Sequence, residues 1–571
     1  MIKKILQEIE SYKNEDVEIS EGVNSSAYKV IRRISFFKNE LFPTGKFDSQ
    51  ENYKFYFNVI TPRVNSEVKN IDLDTKDISL YSDITKDTIK IMLSNARMRE
   101  WLHESGQAEK LNDAVEKGSA DGSVVWKKTK DGYEVKELNT IMVLNQTAYS
   151  IQESDVIEQE CLTASDLRKK NGVWDSDKVE ELIKMGSKKK RQDFYVYERN
   201  GEVSEKEYNE AKGKKGGKED KYYQAKVIVG GTEKDKPTTV LFCEYLTDKG
   251  KKAIYKEYHR SAYTGTWLRR GLYQLLMDYQ IRANEIGNQI ARGLEWASKA
   301  VFTGADKLMM QNILTDLQNG DYVKAKDLRQ VEVRMQGLDQ LIADWNRCMV
   351  EMDKLANSYE VVQGVTPASG TPLGTSQMLN QNAGKLFDFI REKLGIALED
   401  IIEEWILPDL LKDLKKKDVL RLTEDSGYLQ GYYQAVIESW YIDNLLALPP
   451  HDEAIAQELK QQKLQEISKK KEAMVNLEED MWKEYAPKVR VKITGENVNR
   501  IGERDELIGF IGLEIDPIRR SALLEMAIKK STNIDVSQLP KSPPQPQPAM
   551  AGQQQGRGGL DQILEQQESQ L

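Results

Sequence analysis

Histidine and cysteine are scarce in this chain, with three of each among 571 residues. Cys161, Cys243 and Cys348 stand far apart and are odd in number, so they fit no metal spacing and point to a reducing compartment. His103, His259 and His451 have no cysteine or second histidine at ligand distance. His451 follows Pro449 and Pro450 and reads as a loop or helix start. A phosphate loop requires Ser or Thr after its Gly-Lys pair, because the hydroxyl binds the metal. Gly45-Lys46 is followed by Phe47, Gly217-Lys218 by Glu219, Gly384-Lys385 by Leu386, and the other pairs by lysine. No apolar run approaches the roughly 20 residues that span a bilayer. The expectation is a chain with no catalytic residue, no metal, no cofactor and no membrane segment.

What is present is charge. Charged residues make up 31% of the chain, the net charge is -9 and the mean hydropathy is -0.62. The length allows several domains and a large buried core. Proteins that grip duplex DNA through its phosphates display basic surfaces, so tight sequence-independent binding is not expected. An acidic wall is compatible with a duplex that slides past it. The first ten residues place Ile2, Ile5, Leu6 and Ile9 on one helical side, and their acidic neighbours argue against a signal peptide.

Periodicity predicts a largely helical section to about residue 115. Tyr28, Ile31, Ile34, Leu41 and Phe42 mark one helix. Residues 58–65 (NVITPRVN) lead into Val68, Ile71 and an extended stretch, and a further helix is expected over 85–116. Strands follow: 123–128 and 133–136 around Asp131-Gly132 read as a hairpin. Further strand candidates are 193–198, 222–229 and 238–245. The clusters at 188–191 (KKKR) and 213–218 (GKKGGK) have acidic neighbours in Glu205, Glu207, Glu219 and Asp220 and read as solvated loops. More helix is expected to about residue 471, then a strand at 488–495 and helices around 503–512 and 516–530. The Pro/Gln/Gly-rich residues 540–571 are expected to be disordered.

The most informative stretch is 267–410. Leu272, Leu276, Tyr279, Ala283, Ile286, Ile290, Leu294 and Ala297 recur three or four apart, which keeps one apolar stripe on one helix face. Leu338, Leu341, Trp345, Cys348, Met352, Leu355 and Tyr359 repeat the rhythm in a second helix. Residues 299–336 can form a small α/β cap joining the two as antiparallel partners. A loop at 361–376 follows, where Gly364, Gly370 and Gly374 around Pro367 and Pro372 prevent helix. Its hydroxyls, Thr366, Ser369, Thr371, Thr375 and Ser376, are neutral and polar, suited to brushing a phosphate backbone or equally to an ordinary surface loop.

The order of these features resembles the portal, or head-to-tail connector, proteins of tailed bacteriophages, nearest to the podovirus-type portals of crAss-like phages. The residues that carry it are 58–65, 111–126 and, most strongly, the run from 271–278 (GLYQLLMD) through 364–376 to 405–408 (WILP). The likeness spans about 55–412 and is one of architecture. It implies an α+β, mostly helical fold with wing, stem, clip and crown, arranged as a ring of subunits.

Segment by segment, the resemblance implies a wing at 1–267 and stem helices at 268–298 and 337–360. The clip would be 299–336 and the tunnel loop 361–376. A long wing helix and return would follow at 377–450, and a crown at 451–539. Stem packing would fall to Leu272, Leu276, Tyr279, Ile286, Ile290, Leu294, Leu341, Trp345 and Met352. The DNA-facing loop would present Gly364, Thr366, Pro367, Ser369, Gly370, Thr371, Pro372, Gly374 and Thr375. The implied role is a homododecamer at one capsid vertex of the virion, assembled in the host cytoplasm. It would be a channel for double-stranded DNA, without sequence specificity, in genome packaging and ejection. Implied partners are the major capsid protein, the terminase large subunit and head–tail adaptor or tail proteins. A coiled-coil structural or scaffolding protein of a virion, with no DNA channel, is the competing reading of the same helices.

Overall fold

The computed structural model describes residues 1–298 apart from 50, 72, 83–87, 131, 189–192 and 247–253. Beyond these it describes 301–303, 329–331, 337–358, 373–414, 419–422, 437, 473–476, 485–491, 493 and 509–511. The chain divides into a unit Met1–Gly495 and a unit Glu496–Leu571, and the described residues of the second, 509–511, are helical. The fold is α+β, with twelve α-helices among the described residues and several antiparallel sheets.

The N-terminal pattern makes helix α1 (Ile2–Asn14), which buries Ile5, Ile9 and Tyr12. Helix α2 (Ala27–Lys38) begins at Ser26, whose hydroxyl accepts from Lys29 N. It stops short of the expected Leu41 and Phe42 because Glu40 takes a positive φ of 55°, and Leu41 is left exposed. Residues expected to lead into an extended stretch instead form α3 (Thr61–Ile71). Asn58 Oδ1 accepts Thr61 N at 3.1 Å, and Pro62 sits in the first turn, where a missing N–H is harmless. The single helix expected over 85–116 is two, α4 (Thr88–Glu104) and α5 (Gln107–Asp121), because Gly106 adopts φ 66° between them. Helices α6 (Ala164–Lys169), α7 (Ser176–Lys188) and α8 (Glu205–Ala211) decorate the sheet region.

Strands β1 (Val17–Ser20) and β2 (Val23–Ser25) pair as a hairpin, and β3 (Ile78–Tyr81) stands apart. The expected hairpin is β4 (Ser123–Thr129) with β5 (Gly132–Lys136). Short β6 (Ile141–Val143) and β7 (Val156–Thr163) follow, then β8 (Asp193–Ser204), β9 (Tyr222–Gly231), β10 (Thr239–Leu246) and β11 (Tyr255–His259). Two sheets result, β10-β9-β8-β7-β6 and β11-β4-β5. Side chains alternate across a strand. Val196 and Ile228 therefore meet Val179 and Leu182 of α7 on one face, while Tyr197, Val227 and Val229 share a core with α1, Val125 and Tyr255 on the other. The lysine-rich 213–218 is an exposed loop whose end is held by Lys218 N donating to Glu205 Oε2 at 3.0 Å, while Glu219 just beyond it pairs with Lys206 of α8.

The two long stripes of the sequence are helices α9 (Leu272–Ser298) and α10 (Leu338–Ala356). Between them β12 (Val301–Thr303) pairs antiparallel with β13 (Arg329–Val331). Helix α11 (Leu373–Ile401) continues through a π-helical turn at Ile402–Ile406 into α12 (Leu407–Leu414). Val419–Leu422 (β14) pairs with Ala473–Asn476 (β15), within and just beyond a region expected to be helical. Last, β16 (Lys488–Val491) pairs with β3. Residues 540–571 and the helices expected at 516–530 lie outside the described residues, as do most of 299–336 and 423–472.

Candidate functional site

The α9–α10 pair is built from the residues whose spacing announced it. Leu272 and Leu276 share a core with Met352 and Ala356, while farther out Arg282 Nη2 meets Asp344 Oδ2 at 2.7 Å. Rising numbers in α9 thus oppose falling numbers in α10, and the pair is antiparallel. Tyr279 and Trp345 lie partly buried at the edge of this core, and Ile286 is buried. Ile290 and Leu341 are half-buried. Leu294, the last of the expected packing residues, is 51% exposed. In this register it lies beyond Leu338, the first residue of α10, so the shorter return helix does not reach it.

One face of α9 does work that apolar periodicity does not announce. Gln280, Asn284 and Asn288, each four apart, form a ladder of amides against the extended segment ahead of α3. Gln280 Oε1 accepts Val59 N at 3.1 Å, Asn284 Oδ1 accepts Phe57 N at 2.8 Å, and Asn288 Oδ1 accepts Phe55 N at 2.8 Å. In return Gln280 Nε2 donates to Phe57 O and Asn288 Nδ2 to Phe55 O. The spacings agree: four helical residues rise about 6 Å and two extended residues about 6.6 Å. Each rung therefore meets every second peptide, and a segment with no strand beside it still satisfies its backbone. A Cβ at Gly287 would overlap the Phe57 ring, so glycine lets the segment lie against the helix, with Phe57 edge-on to Trp345 at 5.5 Å. Arg63 ties the other helix in, donating to Val59 O and Met349 O and pairing with Asp353 at 2.8 Å.

The same device recurs at the end of α11 and on the π-helical turn that follows it. Glu403 Oε1 accepts Val489 N at 3.0 Å and Glu399 Oε1 accepts Val491 N at 2.8 Å. Asn95 of α4 closes the opposite edge, accepting Leu80 N at 2.7 Å and donating to Leu80 O at 2.9 Å. The β3–β16 pair is thereby capped on both sides. Gly395 again gives room, since a Cβ there would come within 2.9 Å of Val491 O.

The far side of the pair is an open groove of about 380 Å3 lined by Asp278, Tyr279 and Arg282 of α9 with Asp344, Arg347, Cys348 and Glu351 of α10. Burial and the neighbouring Asp344 push the Cys348 thiol up.

Two polar clusters in the body have the residue types of catalysis. Ser123 Oγ lies 2.9 Å from His259 Nδ1, and His259 Nε2 lies 3.2 Å from Glu257 Oε2. Ser123 is fully buried and its Oγ also accepts Arg269 N at 3.0 Å, so no substrate reaches the hydroxyl. Burial opposes ionisation of Glu257, but His259, the Trp267 indole N–H and Ile151 N outweigh it and hold the carboxyl below its usual range. The trio pins β4 and β11 to the chain entering α9. Between the two sheets, Glu158 is 1% exposed and lies 2.5 Å from Lys127 and 2.6 Å from Lys136. Glu198 meets Lys127 at 3.1 Å and Lys226 at 2.9 Å. Each of these two buried carboxylates faces two lysines, and such pairing is the requirement for burying a charge at all. Among the described residues no His/Cys/Asp/Glu group is arranged for a metal, and no helix is long and apolar enough to cross a membrane.

Of the residues expected in the loop at 361–376, Gly364, Thr366, Pro367, Ser369, Gly370, Thr371 and Pro372 lie outside the described residues. Gly374 and Thr375 belong to the first turn of α11, which begins earlier than the loop was expected to end. Pro372 in the sequence is well suited to precede a helix, because the first turn needs no N–H from it. The amide ladder was missed, although Gln and Asn at i, i+4 and i+8 on one side of an otherwise apolar and charged helix were visible.

Compared with known proteins, the chain matches no protein-family model, and no curated protein is significantly similar to it.

Proposed function

We propose that this chain is the portal subunit of a tailed bacteriophage, acting as one member of a ring through which double-stranded DNA is packaged and ejected. One observation carries the reading: two long antiparallel helices leave an α/β body, bear a small β-pair between their far ends, and are followed by a third long helix. On this reading α9 and α10 are the stem, β12 and β13 belong to the clip, and the sheets with α1–α8 form the wing. The segment before α11 would be the DNA-facing loop. The ring would be a dodecamer seated among major capsid proteins, visited by the terminase large subunit and then closed by adaptor or tail proteins. The amide ladder suits a stem, since it braces α9 along its length against the chain ahead of α3. The net charge of -9 suits a channel wall that repels the duplex it guides.

Negative-stain images of the purified chain test this directly. Rings with a central hole of duplex width are expected, whereas filaments or elongated dimers would overturn the reading in favour of a scaffolding role. Shortening the loop within 364–371, clear of α11, should leave ring assembly intact and abolish DNA packaging or retention. Intact packaging after that deletion would remove the loop from its role.

A further inference from the structure

The chain holds three aromatic rings in water on a rigid support. Phe47, Tyr53 and Phe55 are 59%, 51% and 55% exposed, and successive ring centroids are 5.8 and 5.5 Å apart in edge-to-face contacts. They form one contiguous ridge. Their backbone is a small hairpin, with Lys54 N donating to Lys46 O at 2.9 Å and Asp48 N to Asn52 O at 3.0 Å. Asp48 pairs with Arg292 of α9, and Asn288 bonds both backbone groups of Phe55, so the hairpin is fastened to the outer part of the helix pair. An exposed aromatic patch that is already ordered marks an association surface, because binding then costs little further entropy.

The receiving surface is on the same chain. Asn284 of the ladder and Arg282 of the groove are two residues apart, roughly 160° around α9. The ridge and the groove therefore lie on opposite flanks of one helix pair. The groove offers the Tyr279 ring and the guanidinium groups of Arg282 and Arg347, which are the partners aromatic rings prefer at interfaces. Exposed Asp278 in the groove complements exposed Lys46 beside the ridge. Two unlike, complementary patches on opposite flanks are the requirement for a head-to-tail contact, and such contacts close into rings when the rotation allows.

We infer that the Phe47–Tyr53–Phe55 ridge of one copy seats in the α9–α10 groove of the next copy. The inference rests on the ring reading and names the contact that builds the ring. In a background carrying Cys161→Ser, Cys243→Ser and Cys348→Ser, which removes the native thiols including the one lining the groove, chains carrying Phe55→Cys and chains carrying Arg347→Cys are co-expressed and mildly oxidised. A disulfide joining one chain of each kind is expected, with Phe55→Cys chains alone giving at least tenfold less dimer. Separately, Phe55→Asp should raise the concentration needed for assembly at least tenfold by sedimentation velocity. Dimers from Phe55→Cys alone would mean a symmetric contact and overturn the inference. Rings that form with no mixed disulfide and tolerate Phe55→Asp would overturn it while leaving the ring reading in place. A chain that stays monomeric at all concentrations would remove both.

Discussion

Asn284 Oδ1 accepts the backbone N–H of Phe57 at 2.8 Å, across 227 residues of sequence. It is the middle rung of the ladder that lays the segment before α3 along helix α9. Replacing Asn284 with alanine leaves a partly buried N–H without its partner, which costs about 1–3 kcal/mol. Asn284→Asp keeps the acceptor and should lose less. Urea midpoints of the two variants decide the matter, and equal losses would mean that the rung contributes only packing.

Gly287→Ala should destabilise the chain. An interior helical glycine changed to alanine ordinarily gains about 1 kcal/mol. Here the new Cβ would overlap the Phe57 ring. A lower melting temperature is expected for Gly287→Ala, with recovery when Phe57→Ala is added. A single variant that melts higher than the parent would contradict the close approach.

Arg260 and Glu67 form a bidentate pair at 2.6 and 2.7 Å, with side chains 9% and 1% exposed. Removing the arginine alone strands a buried carboxylate, a loss of about 3–5 kcal/mol. Arg260→Met combined with Glu67→Leu should restore most of it, because two apolar groups leave nothing unpaired. A double-mutant cycle measures the coupling, and additive losses would show that the pair does not act as a unit.

Acid should unfold the chain through the charges between its sheets. Burial raises the cost of ionising Glu198, but Lys127 and Lys226 outweigh it and hold its pKa at about 2 against an ordinary 4.5. The folded carboxyl titrates below the unfolded one, so this stabilisation is complete above about pH 4.5 and is lost as pH falls toward 2. Its size is on the order of 3 kcal/mol at neutral pH. Denaturation series between pH 6 and pH 3 should show Glu198→Gln with a flatter pH dependence than the parent. Identical slopes would place the acid sensitivity elsewhere.

Much of the fold was legible because its residues report local periodicity. The stripe from Leu272 to Ile286 and that from Leu341 to Met352 are helices packed along those faces. The β4–β5 hairpin and strands β8, β9 and β10 also lie close to where alternation placed them, whereas the eight-residue β7 was not among the expected strands. Breaks were read less well, since they rest on single backbone conformations. Gly106 splits one apparent helix into α4 and α5, and Glu40 ends α2 early. Short strands such as β6 and β14 carry too few residues to show a period. Leu294 illustrates a further limit, for its stripe is correct but its partner helix begins too late to cover it.

The sequence by itself determined the helix pair, the hairpin, the strands β8 to β10 and the scarcity of metal-binding and phosphate-binding chemistry, because each depends on neighbours within a few turns of chain. Tertiary structure alone decided which polar residues matter. Gln280, Asn284 and Asn288 look like solvated amides until residues 55–59 arrive, and Glu399 and Glu403 look like surface carboxylates until β16 does. Ser123, His259 and Glu257 have the residue types of a hydrolase and become a buried pin once β4 and β11 pair. Hydrogen-bond partners distant in sequence leave no period to read, and burial follows from packing that no short window of residues contains.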